Sequence, residues 1–376
     1  MKKIVFITGT RADYGKLKSL IQNVEKSDEF EAYVYVSGMH LLSEYGETFG
    51  EVLKDNYQHV QVAYGLINVR DTSYNLGNVI CDFTGYVKHI CPNMIVVHGD
   101  RIDALAGAAV GALNNILVAH IEGGELSGTI DESIRHAVSK MAHIHLVSNE
   151  EAKQRLLQLG EEEQRIYLLG SPDIDIMYSR ALPNIDKVRM RYDINFVKYG
   201  ILMYHPVTTE YSNISRNIKN ILSALEESQY SYVIIYPNND FGSELILCEY
   251  ENLVNNPKYR IFPSIRFEYF LTLLKHAEFM IGNSSAGIRE TCVYGVPAID
   301  LGSRQSGRYS RNVLSNIIHA EEKKDDILNA IACIDQHRMK NSFFGDGNSA
   351  QMFMQILKDE NLWNIQMQKH FMDIIF

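Results

Sequence analysis

Short, nearly continuous apolar runs recur through the first 171 positions: KIVFITG, AYVYVSG, MIVVHGD, ILVAHIEGG, HIHLVS and IYLLGS. Each closes on glycine, polar or charged residues and is followed by a longer stretch of helical spacing. Runs without alternation are the mark of parallel strands buried on both faces. Strands that alternate with helices are joined by crossovers, so the pattern predicts a doubly wound α/β sheet. The rhythm pauses over SPDIDIMYSRALPNIDKVRMRYD and restarts with GILMYHP, YVIIYPN, RIFPS, FMIGNS, PAIDLG and NIIHA. A chain of 376 residues also exceeds what one core usually supports. We therefore expect two α/β domains, 1–171 and 172–358. The tail 359–376 carries the only tryptophan and an apolar stripe, and reads as a helix packed on a domain surface.

In open α/β sheets ligands bind outside the carboxyl ends of the strands. That rule selects TGTRADYGK, VHGDR, HIEGG, YHPVTTE, YPNND and IGNSSAG, and two such domains would hold a site in the cleft between them. The formal net charge of −10 gives no general attraction for nucleic acid or an anionic membrane, so any anion site must be built locally. Five cysteines without a C-x-x-C pair suggest neither a disulfide framework nor a zinc ribbon, which fits a reducing cytoplasm. The apolar run before Gly9 is too short for a signal peptide, and no run approaches the ~18 residues of a membrane span. A cytoplasmic protein without membrane or nucleic-acid partners is expected.

The stretch GNSSAGIRETCVYGVP reads as strand end, cap, helix and stop. Asn283 or Ser284 would cap the helix and Gly295 and Pro297 would end it. Its amides with the Ser284 and Ser285 hydroxyls could seat a diphosphate, or simply form an unliganded cap. GTRADYGKLKSL also joins a strand to a helix, with Arg11 and Lys16 near the turn, yet it lacks the G-x-G-x-x-G and Walker A patterns. Arg11 is either a phosphate ligand or a solvated loop residue.

His98 and Asp100, and His120 and Glu122, stand two apart, which puts each pair on one face while its strand lasts. Four such groups could ligate a metal, but neither pair has a recognised ligand spacing. In HIEGGELSGTIDESIRH, Thr129 and Glu132 form a capping box before the apolar stripe Ile130, Ile134, Ala137, Val138 and Met141. Asp131 and Arg135 share a face of that helix at its positive end, which favours a charged Asp131, either as a base or as a partner. Glu122 follows a buried strand, so desolvation would raise its pKa unless loop amides bind it. His205 ends a strand of the second domain.

Taken together, TGTRADYGKL, VHGDR, HIEGGELSGTIDESIRHAVSKMAHIH, HPVTTE, YPNND and GNSSAGIRE resemble the hydrolysing UDP-N-acetylglucosamine 2-epimerases of sialic-acid biosynthesis, over residues 1 to about 320. The resemblance implies the GT-B fold, two Rossmann-like domains with the active site in the interdomain cleft, and no cofactor or catalytic metal. It implies a UDP-sugar substrate and a homodimer or homotetramer. Asp100, Glu122 and Asp131 would be catalytic, with His205 assisting the departing diphosphate. Arg11, Ser284, Ser285 and Arg304 would lie at the UDP phosphates, Asn238 at the nucleotide, and Glu290 at the ribose hydroxyls. Arg101 and Arg135 match positions in or beside the site, and Lys16 belongs to the same substrate-binding set. One departure follows GSRQSGR: relatives commonly have a glycine within a few residues, whereas this chain reads YSRNVL with Arg311.

Overall fold

Each of the twelve apolar runs forms a strand, and a short edge strand is added to them. The computed structural model describes residues 1–67, 71–127, 129–309 and 313–373; Arg311 lies outside the described residues. The chain divides into two units. The first holds Met1–Glu125, Ile130–Tyr178 and Phe344–Phe376, and the second Leu126–Thr129 and Ser179–Phe343.

In the first unit the strands are β1 (Lys2–Thr8), β2 (Phe30–Val36), β3 (Val60–Val62), β4 (Met94–His98), β5 (Leu117–Ile121), β6 (Ile144–Val147) and β7 (Ile166–Leu168). All pair in parallel, in the order β3-β2-β1-β4-β5-β6-β7. The helices are α1 (Arg11–Glu25), α2 (Phe49–Lys54), α3 (Thr72–Ile90), α4 (Ile102–Leu113), α5 (Ile130–Met141), α6 (Glu150–Gln158) and α7 (Pro172–Met177). Every residue of β4 and β5 is buried, because both sheet faces are covered. On one face Leu17, Leu20, Ile21 and Val24 of α1 meet Phe6, Ala119 and Ile121; on the other, helices α3, α4 and α5 meet Val5, Ile7, Val97 and Val118. Helix α4 can lie close to the sheet because it carries glycines there. A Cβ on Gly111 would stand 2.4 Å from Val118, and one on Gly107 2.9 Å from Val97.

The second unit repeats the plan with β8 (Tyr199–Met203), β9 (Ser231–Ile235), β10 (Tyr259–Phe262), β11 (Phe279–Gly282), β12 (Ala298–Leu301) and β13 (Ile317–Ala320), all parallel in the order β10-β9-β8-β11-β12-β13. Its helices are α8 (Ile185–Tyr192), α9 (Ile214–Glu227), α10 (Ser243–Glu251), α11 (Phe267–Lys275), α12 (Glu290–Tyr294) and α13 (Lys324–Ala332).

The chain then returns to the first unit with α14 (Ser349–Lys358) and α15 (Glu360–Trp363). This corrects the expected limits of 171 and 358. Helix α7 stays with the first unit, and Ala350, Phe353, Leu357 and Leu362 complete the core beside α1. The expected tail helix shrinks to α15; Trp363 stacks at 6.1 Å on Phe30, and the residues from 364 to 373 are not helical. Among the described residues no helix is long and apolar enough to cross a membrane.

Candidate active site

In the first sheet the strand order reverses between β1 and β4, the place where such sheets bind ligands. Past β4 the chain runs His98-Gly99-Asp100, with Gly99 at φ 69°; past β5 it enters Glu122 at φ 64°. These left-handed residues end the alternation, so each histidine parts from the carboxylate two residues on. His98 lies with Glu122 on the α1 side, and Asp100 and His120 lie with α5. The same-face relation expected while each strand lasts does not reach Asp100 and Glu122, because β4 ends at His98 and β5 at Ile121. A left-handed non-glycine residue costs about 1–2 kcal/mol, and such outliers concentrate at working sites.

Three groups face one oxygen, Oε1, of the Glu122 side chain, which is 3% exposed. His98 Nε2 stands 3.1 Å away, Lys16 Nζ 3.4 Å, and Ser171 Oγ donates at 3.1 Å. Lys16 is itself buried and also lies 3.9 Å from Asp173 Oδ2. A buried carboxylate needs such partners, since desolvation without them costs several kcal/mol.

Across the sheet, Arg135 of α5 is 1% exposed. It pairs with the Asp100 carboxylate and donates Nη1–H to the Glu122 carbonyl at 2.8 Å, so one guanidinium binds both strand ends. Asp131 opens the same helix one turn earlier and is buried. His120 is wholly buried, and burial pushes its pKa down to about 3. Its Nε2 lies 2.8 Å from the Gly99 carbonyl, which can only accept; the ring therefore carries its hydrogen there, and Nδ1 accepts from Ser139 Oγ at 3.1 Å. Arg101 precedes α4 and is partly exposed. Arg11, at the first position of α1, pairs with Glu51 of α2 at 2.7 Å.

The second sheet reverses between β8 and β11. There the His205 amide donates to Asn283 Oδ1 at 2.7 Å, Asn283 Nδ2 donates to the His205 carbonyl at 2.9 Å, and the Asn238 amide donates to His205 Nδ1 at 3.0 Å. A neutral His205 then presents Nε2–H as its donor. Arg304 Nη1 and Gln305 Nε2 reach the Asn283 carbonyl at 3.3 and 2.8 Å. Ser284 is buried and Ser285 half-buried, and Glu290 is 3% exposed at the start of α12. The expected unbroken helix after Asn283 is absent. Ser284 Oγ accepts from the Ala286 amide only two residues on, which tightens residues 285–287 into a 3₁₀ turn, and α12 begins at Glu290. Gly295, at φ 70°, ends it as expected.

From sequence, His98 stands out only as a metal candidate and Asn283 only as a cap. The signal for Asn283 is its place directly after a buried strand; the pairing of Glu122 with His98 and Lys16 leaves no mark in the sequence, because Glu122 meets them only through its left-handed backbone.

These strand-end clusters can be set beside known proteins. A family model for UDP-N-acetylglucosamine 2-epimerase matches residues 22–358. A Neisseria meningitidis protein named UDP-N-acetylglucosamine 2-epimerase is 47% identical over the whole of both chains. This chain belongs to the UDP-N-acetylglucosamine 2-epimerase family. Another relative, a Legionella pneumophila UDP-N,N'-diacetylbacillosamine 2-epimerase (hydrolyzing), is 32% identical over 95% of this chain and 96% of its own. Among solved structures, the Methanocaldococcus jannaschii UDP-GlcNAc 2-epimerase in complex with UDP-GlcNAc and UDP has a TM-score of 0.79 at 23% identity, covering 94% of this chain and 99% of that one. The family's fold, two Rossmann-like domains of the GT-B type, is the fold found here.

Proposed function

We propose that this chain is a hydrolysing UDP-N-acetylglucosamine 2-epimerase. It would convert UDP-GlcNAc and water to N-acetylmannosamine and UDP, as the first step of sialic-acid biosynthesis. The observation that carries the reading is that Arg135 joins the two strand ends that bear Asp100 and Glu122, pairing with the Asp100 carboxylate and donating to the Glu122 backbone carbonyl. A protein that only binds a nucleotide sugar has no use for this set.

The C2 hydrogen of the sugar is not acidic, so C1–O cleavage leads. As UDP departs, positive charge grows at C1 and the C2 proton becomes removable, giving 2-acetamidoglucal by anti elimination. Water then adds at C1 while a proton returns to the other face of C2. Asp100, Glu122 and Asp131 supply the carboxylates for these proton movements and for the cationic transition state. His205 donates Nε2–H to the leaving diphosphate, helped by Arg304, Ser284, Ser285 and Arg11. Asn238 and Glu290 hold the nucleoside, and Arg101, Arg135 and Lys16 complete the charged surroundings. On this reading the carboxylates belong to the first domain and UDP to the second.

Hydrolysis is favoured by HPVTTE from His205, where non-hydrolysing relatives carry an H-R-R-E-N-type stretch, and by hydrolysing names among relatives near 32% identity. The 47% identical relative favours UDP-GlcNAc over the diacetylated sugar. A cytoplasmic homodimer or homotetramer completes the proposal. Incubation with each UDP-sugar in D2O and in H2(18)O tests it: deuterium at C2, heavy oxygen at C1 and free UDP are expected from UDP-GlcNAc. Recovery of intact UDP-N-acetylmannosamine would refute hydrolysis, and turnover confined to the diacetylated sugar would reassign the substrate.

A further inference from the structure

Ser139, in the last turn of α5, is bonded at both its ends. Its hydroxyl donates to His120 Nδ1, and its carbonyl accepts from Lys369 Nζ at 3.3 Å. His120 passes the connection to the carbonyl of Gly99, the residue before Asp100. Gly123 leaves room for this bridge, since a Cβ there would stand 2.9 Å from His120 Nδ1 and 3.0 Å from Ser139 Oγ.

Lys369 comes from the non-helical tail beyond α15. Its ammonium also binds the Ala142 carbonyl at 2.7 Å and Glu161 Oε2 at 2.5 Å. The Glu161 carboxylate is 1% exposed and stands within 2.9 Å of His145 and 2.7 Å of Lys140. Chain ends usually fray unless tied down. Apolar contacts with the first core reach Ile365 and Met367, while Phe371 is 90% exposed; between them the polar attachments include a hydrogen bond from Arg165 to the Gln366 carbonyl at 3.0 Å. A cation at the closing carbonyls of a helix fills acceptors that the helix leaves open and meets the negative end of its dipole. The tail is thus fastened by charge to the helix that carries Asp131 and Arg135.

We propose that the linkage from Lys369 through Ser139 and His120 to Gly99 is a positioning device that sets Asp100 relative to Arg135, which makes the C-terminal tail part of the catalytic apparatus. The proposal rests on the epimerase reading. Lys369, Ser139 and His120 act through Asp100 and α5, and misplacement of a reacting group by about 1 Å can cost on the order of 100-fold in rate.

The full-length Lys369→Met variant tests it, measured as UDP release from UDP-GlcNAc. We expect kcat to fall roughly 10- to 100-fold with KM and UDP affinity within about twofold. Lys369→Arg, whose guanidinium still reaches the two carbonyls, should restore most of the rate. Ser139→Ala should lower kcat comparably, and the double variant should be no slower than the slower single one, as members of one linkage are not additive. Hydrogen exchange at the amides of residues 99–102 should quicken in both single variants, a readout that needs no turnover. Unchanged kcat and exchange in Ser139→Ala, or losses that multiply in the double variant, would overturn the proposal; Ser139→Ala alone decides if Lys369→Met does not fold. An inactive wild type would instead refute the epimerase reading.

Discussion

Asn283 and His205 exchange two hydrogen bonds, 2.7 and 2.9 Å long, across the point where the second sheet changes direction. One side-chain amide thereby satisfies both backbone groups of the residue proposed to meet the leaving group. Asn283→Ala leaves a buried N–H and C=O without that partner, at about 1–3 kcal/mol each. Chemical denaturation should register a loss of that order, and kcat should drop at least tenfold. A variant with wild-type rate and stability would show that His205 is held some other way.

Glu122 is the residue on which chemistry and folding most compete. Glu122→Gln keeps the shape and removes the charge, so turnover should disappear while UDP affinity stays within a fewfold, as isothermal titration can check. Loss of UDP binding would mark Glu122 as structural. Lys16→Met complements it, because it takes the ammonium from two buried carboxylates, Glu122 and Asp173. Removing one member of a buried pair costs about 3–5 kcal/mol; here His98 and Ser171 remain on Glu122, so a fall in stability toward the lower figure is expected, together with slower turnover.

Gly282 sits at φ 133°, and a Cβ there would lie 2.0 Å from the Met203 carbonyl oxygen and 2.6 Å from its carbon. These atoms are backbone at the last residue of β8, paired with the end of β11, and cannot swing aside. Gly282→Ala should therefore cost roughly 3 kcal/mol or more, in the range of severe backbone incompatibility. Equal urea midpoints for variant and wild type would contradict the tight strand end described here.

Burial pushes His120 down to about 3 and His40 to about 4, from an ordinary value of 6.5. Below pH 6.5 the unfolded chain takes up protons that the folded one refuses until those lower values. Stability present above pH 6.5 is therefore lost as the pH falls toward 4, by up to about 1.4 kcal/mol per pH unit for each histidine. Melting temperatures recorded from pH 7.5 to 4.5 should decline over that window. A flat profile would mean that the two rings are not held neutral.

Much of this molecule can be read in its sequence, for a physical reason. Strands buried on both faces must be apolar throughout, so twelve of them announce themselves; β3, three residues at a sheet edge, carries no such pressure. The strand ends were also legible, which brought Asp100, Glu122, His205 and Asn238 forward. What local pattern could not show was direction. The left-handed turns at Gly99 and Glu122 send neighbouring polar groups to opposite faces, and no spacing rule for a strand extends past its last residue. The partnership of Lys16 with Glu122 likewise depends on tertiary packing between residues far apart in the chain. The return of α14 escaped for the same cause, because an amphipathic helix does not say which apolar face it will cover.

That return has a consequence for synthesis. Phe353, Leu357 and Leu362 belong to the core built on β1 and α1, so the part of the protein made first waits for a segment made after the whole second unit. Until that segment leaves the ribosome, the core beside α1 lacks its closing helices, even as the intervening unit has its whole sequence available. Folding from the N-terminus onward, the usual course for chains of several domains, is thus interrupted here. The vulnerable species during production is a nascent chain whose second domain is complete and whose first is not.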